Sequence, residues 1–443
     1  MIKNYLTLAL KVLRRRPLYT FISLFGISFT LMILLLVTAL GDASLGANPP
    51  MSQADRLVVV SMLERYTPRY DTTLTVDSTR LAGGGWRYDT TTDVSSTSRN
   101  TSQGGLGFHF ADRYLRGLEG VSELSAFDSG NPVDAYLAGR KVSLMVTYAD
   151  AAFWRVFDYQ FLAGDAFRPE DVAGGNRVAV LTERAATEYF GESGPAVIGR
   201  ELELERERYT VRGIVAPPPQ RDELTGGDVF VPYTAYDPRI LGDKNQLYGG
   251  FVAVFLAETP AARDHIGEQL DHLADNFVMP PGESYEKLGL THGTALETFA
   301  MRTVGTTDAD EAMWYLFLPV AVLLALFVVL PLLNLVNLGL SRISERAGEI
   351  AVRKAFGANG GDILRQFLLE NLLLTAIGGV VGLGLAYLVV QYVNAAGLLG
   401  GTRLSLSGSV FGYALLIILV FGLLSGLWPA YRMSRTNIAG ALR

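Results

Sequence analysis

The chain has no cysteine, six lysines, four histidines, and not one charged side chain in any of four long stretches. Each shortage excludes something. Without cysteine there is neither a disulfide nor thiol chemistry, so a domain outside the cytoplasm must be held by its core alone. None of the six lysines follows a Gly-x-x-x-x-Gly run, so the sequence contains no phosphate-binding loop and is not itself read as an ATPase. His265 and His272 stand seven apart and can share a helix face, but no acidic or thiol partner at ligand spacing completes a metal site. They are read, with His109 and His292, as surface residues. Ser193, in Gly191-Glu192-Ser193-Gly194, lacks the glycine pattern of a nucleophile elbow. No catalytic residue and no metal ligand is assigned.

The uncharged stretches are Leu18 to Leu40, Ala312 to Ser341, Asn371 to Thr402 and Leu404 to Tyr431. Each is long enough for the about 20 helical residues that cross a ~30 Å hydrocarbon core. The fold class expected is a membrane protein of four transmembrane α-helices, at 18–40, 312–340, 366–393 and 409–430, with a large α+β extracytoplasmic domain between spans 1 and 2. Thirteen basic residues fall on one side of these spans, against Arg403 alone in the short connection 394–408. The side with thirteen is the cytoplasm. It holds an N-terminal interfacial helix (1–17), the loop 341–365 and the tail 431–443, while 41–311 lies outside. The first span is read as a retained anchor, since it is too long for a signal peptide and no small-residue cleavage site follows.

The outer segment carries a formal charge near −16, which argues against nucleic acid or anionic lipid as its ligand. No ionisable side chain lies at mid-bilayer, which disfavours an ion-coupled carrier or channel. In span three Gly378 and Gly382 have GxxxG spacing, the pattern of close helix packing, either within one chain or at a dimer seam. Pro319 and Pro331 can kink span two.

The stretch from Ser341 to Glu370 holds five basic residues against four acids, too many charges for lipid. Ala347, Ile350, Ala351 and Ala355 line one helical face, Glu349 precedes Arg353 by four, and Gly357 can stop the helix in a left-handed conformation. Gly360 and Gly361 break the chain again, and Asp362 can cap the next helix. The run Glu349-Ile350-Ala351-Val352-Arg353-Lys354-Ala355-Phe356-Gly357-Ala358, followed by Asp362-Ile363, Phe367 and Glu370, resembles the cytoplasmic loop of ABC transporter permeases of the MacB/FtsX type. So do Leu13-Arg14-Arg15-Arg16-Pro17 before the first span and Trp428-Pro429-Ala430 through Arg443 at the end, with Met433 and Asn437 departing from the family's later Ala and Pro.

Within 41–311, strands are expected at 54–62, 121–127, 134–138, 141–148, 177–181, 201–204, 208–215, 230–232 and 249–256, and helices at 112–118, 151–157, 183–190 and 259–277. Ala295 to Met301 reads as a final strand or stalk. Asp71 to Gly107, rich in Thr, Ser, Gly and Asp, reads as a long hairpin with a mobile tip or as a loop, serving as a flexible insertion or for adhesion or glycan contact. The order Tyr148-Ala149-Asp150, Phe153-Trp154, Phe157, Phe161 to Asp165, Val178 to Leu181, Phe190-Gly191, Ile198-Gly199-Arg200 and Tyr209 to Val215 is similar to the periplasmic core domain of MacB-type permeases.

The resemblance implies a permease subunit in the bacterial inner membrane, multi-pass, with both termini cytoplasmic. Its loop would hold a coupling helix that contacts a cytoplasmic ABC ATPase through Glu345, Glu349, Ile350, Arg353, Lys354, Phe356, Gly357 and Ala358. This chain would bind no cofactor; ATP and Mg would be bound by the partner ATPase. A second permease subunit (homodimer or paralogue), membrane lipid and an extracytoplasmic protein are the other expected partners, with no nucleic acid. Motion of the outer domain, driven by ATP hydrolysis, would serve export or efflux. An FtsX-like regulator of a cell-wall hydrolase and a sensor or adhesin without ATPase are the alternatives.

Overall fold

A computed structural model describes residues 17–45, 49–80, 86–137, 140–218, 224–235, 246–345, 360–398 and 404–406, with isolated positions between 348 and 423. These fall into two compact units, Ala47–Met313 and a second composed of Met1–Gly46 with Trp314–Arg443.

The chain starts with α1 (Pro17–Leu45). The hairpin β1 (Leu57–Arg80) and β2 (Trp86–Leu106) follows, then α2 (Phe108–Tyr114), and β3 (Val121–Leu137) returns against β4 (Arg140–Ala149). Short elements come next: α3 (Phe153–Val156), β5 (Phe161–Gly164), α4 (Pro169–Ala173), β6 (Val178–Thr182), α5 (Glu183–Phe190), β7 (Glu201–Leu204) and β8 (Glu207–Val215). The outer unit then adds β9 (Val229–Pro232), β10 (Tyr248–Gly249), β11 (Phe251–Ala257), α6 (Pro260–Asn276), β12 (Lys287–Gly293) and α7 (Ala295–Val304). The last long helices among the described residues are α8 (Ala309–Glu345) and α9 (Gly360–Ala395).

The strands join one sheet in the order β10-β2-β1-β11-β3-β4-β9-β6-β8-β5, with β12 paired to β1 and β7 to β3 and β8. Phe251 to Ala257 is an unbroken apolar run, and such a strand has to be covered on both faces. Every residue of β11 is buried. Phe251, Ala253, Phe255 and Ala257 share a core with Val58 and Val60 of β1, closed by Phe110 of α2 and by Ile266 and Leu270 of α6. Val252, Val254 and Leu256 face the other way, with Leu57, Val59, Phe127, Phe153 and Phe157. The two-residue period of an extended strand divides one sequence between two cores. Farther along the sheet, Val142, Leu144 and Val146 of β4 pack with Ala185, Ala186 and Tyr189 of α5.

Polar groups fasten the short elements. Asp150 is 8% exposed and accepts hydrogen bonds from Ser125 Oγ (2.8 Å) and from the backbone N–H groups of Phe153 (3.0 Å) and Ala126 (3.3 Å), which ties the start of α3 to β3. Burial pushes its carboxyl above the ordinary value, against the lowering by these donors. Asp171 accepts from the Arg168 N–H (2.8 Å), Asn176 Nδ2 (3.1 Å) and Arg212 Nη1 (2.7 Å), joining α4 to β8. Burial alone would raise its pKa, but these donors together hold it below the ordinary value.

Several expectations are corrected. Ala295 to Met301 is neither strand nor stalk but part of α7, started by a capping box in which Thr294 Oγ1 accepts from Glu297 N–H (3.2 Å) and Glu297 accepts from Thr294 N–H (2.7 Å). The strands expected at 121–127 and 134–138 are one strand, β3, interrupted by a register shift between Asp128 and Asn131. The helix expected at 112–118 begins earlier, at Phe108. Of the two readings of 71–107, the hairpin is observed, with β1 and β2 paired from Leu63–Gly104 to Arg80–Trp86; its connection, 81–85, lies outside the described residues. Strands β5 and β12 and helix α4 were not expected at all.

Among the described residues three stretches are long and apolar enough to cross a bilayer, Thr20–Asp42, Ala309–Phe327 and Leu372–Ala395. The fourth expected span, 409–430, and the interfacial helix at 1–17 lie almost wholly outside the described residues. α8 stays helical through Pro319 and Pro331.

Phe153 is fully buried and stacks its edge on Phe127 at a centroid distance of 5.0 Å and its ring near Phe157 (4.8 Å) and Phe230 (5.4 Å). Phe153→Ala is expected to cost the outer unit about 3–5 kcal/mol, read as a lowered thermal transition of the full chain in detergent. Asp171 gives a pH dependence. Because its folded pKa lies below the unfolded value of about 3.9, its contribution is present above that value and is lost as pH falls through the folded one. Asp171→Asn should therefore destabilise at pH 7 by about 1–3 kcal/mol, and the difference from the parent should shrink steadily in melts taken at progressively more acid pH, as the folded carboxyl protonates.

Candidate functional site

Three places bear on function. The first is the contact between α1 and α9. Leu374, Gly378, Gly382, Ala386 and Val390 recur every four residues along α9 and are buried, so they form one stripe. It packs on Ile27, Ser28 and Leu31 of α1. A methyl group added at Gly378 would stand 2.6 Å from Ile27 Cγ2, and one at Gly382 would stand 2.8 Å from the Ser28 carbonyl oxygen. Only residues without a Cβ let the two backbones come this close. The small-residue stripe thus meets another helix of the same chain. Gly384, two residues on and so about 200° round the helix, faces open space.

The α1 half of this contact was missed from sequence. Ser23, Ser28 and Thr30 are at most 3% exposed, and Thr30 Oγ1 returns its hydrogen bond to the Gly26 carbonyl (2.8 Å). Small and hydroxyl residues inside an otherwise apolar span were the available signal. The opposite face of α1 carries Phe21, Phe25 and Phe29, stacked at 6.3 and 5.9 Å and exposed.

The second place is the segment after α8. Glu345 ends that helix. Phe356 and Gly357 form a turn: the Phe356 N–H donates to the Val352 carbonyl (3.1 Å), Gly357 has φ +91°, and the Phe356 side chain is 89% exposed. Glu349, Ile350, Arg353, Lys354 and Ala358 lie outside the described residues.

The third is a cleft of about 980 Å³ in the outer unit, lined among others by Ser61, Asp128, Gly130, Gly250 and Arg302. Register shifts at Val60/Met62 of β1 and Asp128/Asn131 of β3 both open onto it. Asp128, 4% exposed, accepts from Asn131 Nδ2 (3.2 Å), and the Arg302 guanidinium, its pKa lowered by burial, donates to the Ser61 carbonyl (3.4 Å). A carboxylate and a guanidinium among glycine backbone groups suit binding of a polar molecule. The histidines stand elsewhere: His265 and His272 are on α6, and His292 meets Asp271 at 2.8 Å.

An α+β outer unit placed between apolar helices defines a membrane-anchored protein with a large domain between its first two spans. Two family models match: the MacB-like periplasmic core domain over residues 20–273 and the FtsX-like permease C-terminal region over residues 321–438. The chain belongs to the MacB/FtsX-type family of ABC transporter permeases. It is 27% identical, over 66% of its length and 41% of the relative's, to the pyoverdine export ATP-binding/permease protein PvdT of Pseudomonas aeruginosa. It is 26% identical to the macrolide export ATP-binding/permease protein MacB of a Shewanella species, over 81% of this chain and 54% of that one. The Bacillus subtilis ABC transporter permease YknZ is 23% identical over 74% of this chain and 77% of its own. The chain therefore spans about half the length of the PvdT and MacB relatives.

Gly382→Val should destabilise the α1–α9 contact by about 1–3 kcal/mol, because backbone cannot move aside as a side-chain end can. Gly384→Val should leave the melting temperature of the detergent-solubilised chain unchanged; equal effects at the two positions would refute the close approach.

Proposed function

We propose that this chain is the permease subunit of an ABC exporter, with four spans and both termini in the cytoplasm of a bacterial inner membrane. A cytoplasmic ATPase in a partner chain binds ATP and Mg; the sequence given contains no phosphate-binding loop of its own. Two permease subunits, copies or paralogues, sit over an ATPase dimer. The segment from Glu345 to Ala358 is the coupling element, and ATP-driven movement there is transmitted to the outer domain rather than through a continuous pore. Export as the outcome rests on the names of the PvdT and MacB relatives.

The observation that carries this reading is Phe356. An aromatic side chain 89% exposed at a glycine turn, between two basic residues and the next span, has the character of an interface anchor. Such residues bury in a partner's pocket and dominate its binding energy. Arg353 and Lys354 beside it supply charge for an acidic rim, where like-charge substitution repels.

The test is affinity purification of the full chain from its native membrane in mild detergent. A stoichiometric ATPase should co-purify with the parent. The pair Arg353→Glu and Lys354→Glu should reduce it at least tenfold, and Phe356→Asp roughly thirtyfold, a loss of about 2 kcal/mol, with thermal transitions unaltered. An undiminished ATPase in these variants would sink the assignment of the coupling element. Absence of any ATPase from the parent would instead favour a sensor or adhesin.

A further inference from the structure

β12 stands at an edge of the sheet: among the described residues it pairs with β1 alone. In an antiparallel pair, successive residues turn their N–H and C=O groups alternately toward the partner and away from it. Half of the main-chain groups of β12 therefore point outward, the condition of an edge strand. Of its seven residues only Leu288 and Thr291 are buried.

Beside this edge runs a groove of about 410 Å³, lined by residues 289–292 of β12, by Glu64 of β1, by Asp271 of α6 and by residues 307–310, which lead into α8. The register fixes which face each side chain meets. Leu288 and Leu290 pack in the core with Leu63 and with Ile266 and Leu270 of α6, and His292, of the same parity, meets Asp271 Oδ1 at 2.8 Å. Gly289 and Thr291 share the other face, where Glu64 directly opposes Gly289 across the ladder. Gly289 puts no side chain in the way: a methyl group built there would stand 3.6 Å from Glu64 Cβ and 3.8 Å from Glu64 Oε2. A long side chain on a strand laid along β12 can thus cross Gly289 and reach that carboxylate.

The groove is acidic. Glu64, Asp271, Asp308 and Asp310 line it, and the one base among its lining residues is His292. The cations nearby face elsewhere or lie short of it. Arg65 opposes Leu288, on the α6 face, and meets Glu283 at 2.8 Å. Arg302 donates to the Ser61 carbonyl (3.4 Å) in the neighbouring cleft. Lys287 precedes Gly289 by two residues, at the start of β12.

We propose that β12 receives, as an added strand, an extended segment of another protein that carries a lysine or arginine opposite Gly289 and a neutral or acidic residue opposite Lys287. Main-chain hydrogen bonds along the edge hold the segment, and the basic side chain selects it. Charge favours this occupant over a second copy of β12, because pairing two such edges brings the same acids together and like charges repel. The acids guard the edge against its own kind, as charged groups do at exposed edges, and leave it open to a strand of opposite charge. The inference needs no ATPase and stands or falls apart from the coupling element.

The probe is a fluorescein-labelled heptapeptide, Thr-Val-Lys-Val-Lys-Val-Thr, titrated into the full chain in nanodiscs of zwitterionic lipid and followed by anisotropy. Its lysines fall on one face and its valines on the other. Saturable binding is expected, and it should be lost when glutamates replace the lysines. An added strand turns alternate N–H groups toward β12. Of two versions, N-methylated on the lysines or on the valines, one should therefore bind like the parent and the other about tenfold more weakly. Glu64→Gln and Gly289→Val should each weaken binding about tenfold, with the thermal transition as a check on folding. Equal binding by the two methylated versions would mean ionic adsorption without a strand and would overturn the proposal. So would no binding of the parent peptide, or binding undiminished in both variants. Because the chain has no cysteine, Gly289→Cys carries a unique thiol. A dimer cross-linked through it by a short bismaleimide would make a second copy the occupant and would equally overturn the proposal.

Discussion

The constraint on which the outer unit depends is the burial of β11 on both faces. Phe251 to Ala257 has no polar residue to turn outward, so every element nearby is placed by the need to cover it. On one side α2 and α6 bring Phe110, Ile266 and Leu270; on the other, α3 brings Phe153, Val156 and Phe157. β1 begins beside β11 with Leu57 to Val60, divided in the same alternating way. Once its first residues are fixed in the sheet, the rest of β1 has to leave as an extension, and β2 is carried with it. The long ribbon is in this sense a by-product of a strand anchored at only one end.

That dependence explains which parts of the fold were legible. Strands such as Glu201–Leu204 and Val229–Pro232 and helices such as Glu183–Phe190 carry their own signal in β-branched runs or amphipathic spacing, and the structure has them within a residue or so. β12 does not. Lys287-Leu-Gly-Leu-Thr-His-Gly293 has two glycines and little β-branched content, and becomes a strand because Leu63 to Tyr66 of β1 offer it a ladder. The ribbon was ambiguous for a related reason. Its apolar residues do alternate, but threonine and serine fill so many positions that period two is hard to distinguish from low complexity. α7 was the avoidable miss, since Thr294-Ala-Leu-Glu297 is a capping box written in the sequence.

Of the candidate sites, the glycine stripe was legible and its partner was not. A GxxxG pattern says that a backbone comes close; it does not say whose. In the structure Ile27, Ser28 and Leu31 of α1 occupy that place. The residues proposed for coupling are legible only as a pattern along the chain, and Glu349, Ile350, Arg353, Lys354 and Ala358 lie outside the described residues.

The occupied stripe has a consequence for assembly. A surface used to pack α9 on α1 cannot also receive a second subunit, so any contact between copies within the bilayer has to use other faces. The candidates are apolar and large rather than small: Phe21, Phe25 and Phe29 on α1, and Leu318, Val322 and Leu326 on α8, all exposed in the single chain. Without water to expel, such side chains associate only as well as they pack against one another in preference to lipid. Outside the bilayer the hydrophobic effect returns, and apolar area removed from water is favourable at about 25 cal/mol per Å². An apolar face in the outer domain can therefore add more to pairing per unit area than the same side chains in the spans.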